Sequence, residues 1–235
     1  MNFNPDTIIQ INSALESINL IVVGEVHGVV ENTEVIKDLV EIIGIKNVGF
    51  IGVEYPKILE KDISLLPKNK KEFLSNHLVK LLLEDGRCSE AHIKLFEFLN
   101  ENGIKTVCLD SSLANWNERD RGMYQNLINI KNKLLDKKQK VIVVTGNLHA
   151  RKEKFTLENA EYIPFASHLG KHLNIQLIYQ TGYFYNKGMQ KFPKGQDSEV
   201  QLKKAGDMEF LFYLTKATPT KKVKGEKVKL TGIVL

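Results

Sequence analysis

Residues 18–28 read Ile18-Asn19-Leu20-Ile21-Val22-Val23-Gly24-Glu25-Val26-His27-Gly28. A short run that is apolar almost throughout and rich in β-branched residues suits a strand buried on both faces, as in parallel sheets. Downstream, Val35, Ile36, Leu39, Val40 and Ile43 recur at helical spacing and stop at Gly44, a helix terminator. The alternation then repeats. A second strand is expected over 47–53, ending at Glu54-Tyr55-Pro56, and a third over 104–109, ending at Asp110. A fourth, over 141–144, runs into Thr145-Gly146-Asn147-Leu148-His149. Helical patterns over 57–83 (broken at Pro67), 90–99 and 117–136 fill the gaps. An amphipathic helix over 5–15 precedes the first strand, and a helix over 165–173 leads to a strand over 175–179. The last part of the chain carries strand-like pieces over 209–214 and 228–234.

Strands alternating with helices imply βαβ units and a parallel sheet. The expected class is α/β. It has three layers: a mostly parallel central sheet with helices on both faces, extra helices over the carboxyl edge, and antiparallel C-terminal strands. A single domain over 1–235 is the simplest organisation, with its core at about 16–182, a helical cap at about 57–100 and a strand extension at about 183–235.

Apolar residues make up 43% of the chain and charged residues 26%, which is ordinary globular composition. The formal charge of +5 comes mainly from lysine runs such as Lys137, Lys138 and Lys140; arginines are few, and no basic motif interleaved with aromatics is present. Nucleic acid is therefore not an expected partner. Neither is a membrane, because no apolar run approaches the ~20 residues that a span needs. With Cys88 and Cys108 as the two cysteines, neither a disulfide framework nor a zinc knuckle is expected, and the cytoplasm is the default compartment.

The positions of the polar residues decide the functional reading. Four apolar runs each end in ionisable or amide groups: Glu25 with His27, Glu54, Asp110, and Asn147 with His149. In an open parallel sheet all carboxyl ends share one edge, where α/β folds place ligands. Arg119, in the first turn of the helix after the third strand, faces the same space. Two carboxylates, two imidazoles and a guanidinium form a general acid–base or metal-ligand set. Glu25, His27, Glu54, Arg119 and His149 are accordingly the candidate catalytic residues. Gly24, Tyr55, Asp110 and Asn147 are candidates for contacting the substrate, and His77, His92 and His172 read as structural. Both His27 and His149 close a Gly-x-x-His turn directly after a strand, a duplication that chance rarely produces.

These motifs resemble those of the erythromycin-esterase/haem-uptake/Tiki–TraB superfamily. The resemblance rests on residues 21–28, on Gly52-Val53-Glu54-Tyr55-Pro56, on Asp85-Gly86-Arg87, on Arg119-Asp120-Arg121-Gly122-Met123, and on Gly146-Asn147-Leu148-His149-Ala150. It covers roughly residues 16–182 and implies a hydrolase acting on an ester or amide bond, with Glu25 and His27 as a first catalytic pair. Glu54 is then a second carboxylate, Arg119 a positioning cation and His149 a second imidazole. Two chemistries are open. In one the imidazoles act as proton carriers; in the other His27, His149 and Glu25 bind a divalent metal such as Mn, Zn or Co, which lowers the pKa of its water. A haem-binding protein using Tyr55 and the histidines, or an effector with an idle pocket, is the alternative. The expected partner is a small-molecule or peptide substrate.

Overall fold

The computed structural model describes residues 3–111, 115–134, 139–193, 201–221 and 229–230. Helix α1 (Pro5–Leu15) is capped by Asn4, whose side chain accepts from the Thr7 amide at 2.9 Å, with Pro5 at the first helical position where its missing N–H costs nothing. Then follow β1 (Leu20–Glu25), α2 (Glu31–Ile43), β2 (Val48–Pro56), and the short helices α3 (Glu60–Ser64), α4 (Lys70–Ser75) and α5 (His77–Glu84). Next come α6 (Glu90–Glu101), β3 (Lys105–Asp110), α7 (Trp116–Leu134) and β4 (Lys140–Gly146). The remaining strands are β5 (Phe155–Leu157), β6 (Ala160–Tyr162), β7 (Leu173–Tyr179), β8 (Tyr183–Tyr185) and β9 (Met189–Lys191), with β10 (Leu202–Gly206), β11 (Glu209–Leu214) and β12 (Lys229–Leu230) after them.

Seven strands form one sheet in the order β10-β11-β7-β1-β4-β2-β3. All pairs are parallel except β10 on β11. Successive side chains of a strand point to opposite faces, and the core divides accordingly. Ile21, Val23, Ile142 and Cys108 join Val35 and Leu39 of α2 and Phe96 of α6 on one face. Leu20, Val22, Val141 and Val143 meet Met123 and Leu127 of α7 on the other. The three-layer α/β expectation holds. The antiparallel C-terminal strands are β8 with β9 and β10 with β11, while β11 itself extends the parallel sheet through β7.

Two local expectations are corrected. The segment 165–173 is not a helix but a single 3-10 turn, Phe165–His168, from which the chain passes into β7. Phe165 and Ala166 are buried, and Leu173 and Ile175 are drawn into the sheet core, so sheet pairing outweighs the helical pattern. The antiparallel hairpin of β5 and β6 was not anticipated; its turn residues Glu158 and Asn159 both take positive φ, the geometry of a tight two-residue hairpin turn. Of the strand expected over 228–234, β12 is the described part, and the expected helix end at 135–136 lies outside the described residues. The helical stretch 57–100 packs mainly against the α2 face, with Ile63, Phe73, Leu82 and Ile93 in that core. It lines the cavity at the carboxyl edge through Asp85 and Arg87. No helix among the described residues is long and apolar enough to cross a membrane.

Three loops at the carboxyl edge are stitched together by backbone. The Gly28 amide donates to the Gly86 carbonyl at 3.0 Å, and the Tyr185 amide donates to the Gly28 carbonyl at 3.1 Å. Gly28 and Gly86 have φ of +86° and +82°, and a Cβ on either would collide with the Tyr185 carbonyl. Only glycine combines that backbone region with so close an approach. Gly86→Ala is therefore expected to destabilise the protein by about 2–4 kcal/mol, adding backbone strain to a steric clash. Chemical denaturation checks this, with Gly103→Ala as control: Gly103 also has positive φ (+70°) but has nothing within 4 Å of an added Cβ.

Candidate active site

Strand order assembles the site. Because β4 lies between β1 and β2, its end delivers Gly146 opposite Glu25, and Val144 pairs with Val53. Glu54, the next residue on β2, thus stands beside Thr145. It lies inside β2, which runs on to Pro56. Its Oε2 accepts from the Gly146 amide at 2.9 Å and from the Thr145 hydroxyl at 3.2 Å. Its Oε1 accepts from Arg119 Nη2 at 2.7 Å. A carboxylate that is only 5% exposed is costly unless its oxygens are occupied in this way.

Both imidazoles turn Nε2 towards this carboxylate, at 4.0 Å for His27 and 3.5 Å for His149. Each also has a carboxylate of its own behind Nδ1. Glu25 lies 3.3 Å from Nδ1 of His27, and Asp120 lies 2.6 Å from Nδ1 of His149. Gly146 makes room for the pair, because a Cβ there would sit 3.0 Å from His27 Nε2 and 3.4 Å from His149 Cδ2.

Helix α7 holds His149 with residues one turn apart. Trp116 stacks on its ring at 5.8 Å and 15°, while Asp120 binds Nδ1. Positions i and i+4 share a helix face, which lets two side chains grip one ring. Tyr162 of the unforeseen hairpin donates its hydroxyl to Asp120 at 2.7 Å, and the Phe165 amide donates to the same oxygen at 2.7 Å. Asp120 is completely buried and Trp116 is 49% exposed. Neither was a candidate from sequence, although the i+4 relation to Trp116 and adjacency to Arg119 were available signals.

Two guanidiniums serve this edge. Arg119 donates to both oxygens of Asp110, at 3.0 and 2.8 Å, as well as to Glu54. Arg87 donates to Asp85 at 2.6 Å and approaches Glu54 and Asp110, each at 3.7 Å. Three carboxylates thus face two guanidiniums, leaving negative charge that a protonated imidazole can neutralise. The pKa directions agree. Burial alone would raise Glu54, yet the neighbouring imidazoles and guanidiniums hold it well below the usual carboxylate range. Burial alone would lower His149, but the Glu54 and Asp120 carboxylates outweigh it and hold the ring above the ordinary imidazole value. Burial pushes the Cys88 thiol up to about 11 and also raises Cys108, so neither thiol is a nucleophile at neutral pH.

The resulting cavity, of about 420 Å³, is lined by Glu25, His27, Glu54, Arg119 and His149 together, and by Asn147. Three substrate-contact candidates lie elsewhere. Gly24 faces Gln176 and Ala150, whose packing a Cβ would obstruct. Tyr55 follows Glu54 on the strand and so points to the opposite face, against the edge of Phe96, with its hydroxyl bonded to the Arg87 carbonyl. Tyr55 is therefore spent as a haem ligand. Asp110 positions Arg119 and does not line the cavity. His77, His92 and His172 do not line it either.

Among the described residues no three His, Cys, Asp or Glu side chains are arranged to hold a metal ion. The proposed set of His27, His149 and Glu25 does not converge. Glu25 sits behind Nδ1 of His27, Nδ1 of His149 belongs to Asp120, and the carboxylate that both Nε2 atoms face is occupied by Arg119.

Comparison with protein-family models finds no match, and no curated protein matches the chain. Among solved structures, the type III effector HopBA1 is 16% identical, with a TM-score of 0.51 over 88% of this chain and 91% of that one, which establishes a shared fold. RRSP, a MARTX toxin effector domain from Vibrio vulnificus, is 16% identical over 72% of this chain with a TM-score of 0.48. An erythromycin esterase mutant in its open conformation is 11% identical over 85% of this chain and 81% of its own, with a TM-score of 0.48. The chain spans only 35–36% of the length of the first toxin structures it matches.

Proposed function

We propose that this protein is a hydrolase of ester or amide bonds of the erythromycin-esterase/Tiki type, working by proton transfer between two imidazoles. One observation carries the reading: two imidazoles, each backed by its own carboxylate, turn Nε2 to a common anion in one cavity. His27, in the tautomer that places its proton on Nδ1 towards Glu25, keeps a lone pair at Nε2 and takes a proton from water. The resulting hydroxide equivalent adds to the substrate carbonyl. Arg119 stabilises the oxyanion; among the described residues its Nη1 has no hydrogen-bond partner, while Nε and Nη2 are engaged. His149, held as imidazolium by Glu54 and Asp120, gives its Nε2 proton to the leaving oxygen or nitrogen. His27 then gives up its proton to solvent and His149 takes one from it, which restores the starting state of both rings. Glu54 acts as a fixed anion, because its oxygens are saturated and its proton affinity is depressed.

The test is a panel of chromogenic esters, lactones and fluorogenic peptides, assayed with wild type and His27→Ala. Turnover that is equal in the two proteins overturns the proposal. A second reading, favoured by the fold shared with HopBA1, makes the chain an effector that uses the same cavity inside a target cell. Expression in such cells is then expected to impair growth with wild type and not with His27→Ala; no difference between them removes the effector reading.

A further inference from the structure

We propose that the substrate of this cavity carries an oxyanionic group, a carboxylate or a phosphate, recognised by Arg151 and Lys187. The inference rests on the hydrolase reading of the same cavity and adds its substrate class. Arg87, Arg119, Arg151 and Lys187 all line the cavity, yet the four cations are in different states. The charges of Arg87 and Arg119 are paired with those of Asp85, Asp110 and Glu54. Arg151 and Lys187 form no ion pair among the described residues. Glu25, Glu54 and Asp85 line the same cavity, but their ion pairs are with His27, His149, Arg87 and Arg119, not with these two side chains.

Both are also held in place. The Arg151 guanidinium lies over the Phe155 ring, 4.6 Å from its centroid, two residues beyond His149. Lys187 sits at φ +49°, a backbone region that a lysine rarely adopts, and its amide is tied to the Glu84 carbonyl at 2.8 Å. The turn between β8 and β9 that brings Lys187 to the cavity is thus fixed at its backbone. Composition points the same way. The chain has 33 lysines and arginines, of which Arg87, Arg119, Arg121 and Arg151 are the only arginines, and three of those four line this cavity. The planar guanidinium suits forked recognition of carboxylate and phosphate, where lysine acts as a point charge. Trp116, half-exposed, lines the same cavity, so the group bearing the anion has an apolar surface to lie against.

Trp116 is the only tryptophan, and its emission reports occupancy without any need for turnover. Three probes are titrated into the full chain at low salt, with binding read by Trp116 emission and by calorimetry: acetyl-aspartate methylamide, its size-matched neutral counterpart acetyl-asparagine methylamide, and the larger acetyl-phosphoserine methylamide. The charged probes are expected to bind about tenfold more tightly than the neutral one, the scale of two charge-assisted contacts in a partly open site. The tighter of the two charged probes names the source. Arg151→Gln and Lys187→Gln should each erase about threefold of the preference, and the double variant all of it. Both side chains are solvent-accessible, so folding is expected to be unaffected. Equal binding of the aspartyl and asparaginyl probes by wild type overturns the proposal, as does a preference that survives in the double variant. A protein with the preference but no turnover on the ester panel keeps this subsite and loses the hydrolase reading; turnover of neutral esters without the preference does the reverse.

Discussion

His27→Ala is expected to lower kcat/KM by about a thousandfold, within the 10²–10⁴ that a positioned acid–base group contributes. The side chain is 20% exposed and its near polar contact is the buried Glu25 at 3.3 Å, so His27→Gln, which keeps a polar group beside that carboxylate, is the companion variant in which the melting curve should stay unchanged. A large loss of turnover with an unchanged melting curve separates a proton carrier from a structural residue. His149 requires a gentler change, because it is buried and bonded to a buried carboxylate. His149→Ala would leave the buried Asp120 carboxylate without its imidazole partner, so His149→Gln is the informative variant. A comparable loss of turnover is expected there, and full activity in both variants would remove the two-imidazole mechanism.

Glu54→Gln is expected to act on stability, rate and pH profile together. Removing one partner from a buried ionic cluster costs about 3 kcal/mol, at the lower end of the range because Asp110 and Asp85 still accompany the guanidiniums. The folded-state pKa of Glu54 lies below its ordinary value of 4.5. Its contribution is therefore present above that value and is lost as pH falls towards the folded pKa, so the gap between variant and wild type should narrow in acid. The effect on His149 has the opposite direction. The imidazolium owes its raised pKa to Glu54 and Asp120; with the charge 3.5 Å away removed, it gives up its proton at lower pH. In wild type the required imidazolium is lost as pH rises through a value above 6.5, which forms the alkaline limb of the rate profile. That limb should move to lower pH in Glu54→Gln, with a roughly hundredfold loss in kcat/KM at pH 8. An alkaline limb that stays in place would exclude His149 as the acid.

Some of the site could not be read from the chain. Tyr55 and Glu54 looked alike as neighbours at a strand end, and only the length of β2, with its two-residue alternation, sends one to the cavity and the other under the sheet. Asp120 was hidden because its importance depends on meeting His149, 29 residues away and on another element. Tyr162 was out of reach for a further reason: a three-residue strand with a Glu158-Asn159 turn leaves almost no periodic signal. Arg151 and Lys187 carry no local pattern at all.

Sequence by itself determined the α/β class, the parallel sheet and the gathering of Glu25, His27, Glu54 and His149 at one edge. Apolar β-branched runs admit few structures other than buried strands, and parallel strands must end together. Tertiary structure alone decided strand order, and with it the geometry of the site at the atomic scale. By inserting β4 between β1 and β2, the fold sets Gly146 between two imidazoles, aims both at Glu54, and gives each its own carboxylate. The physical reason is that hydrophobic patterning is a local property, indifferent to which strand lies beside which. Charge pairing depends on distances of a few ångströms between residues remote in the chain, and those exist only once the sheet has closed.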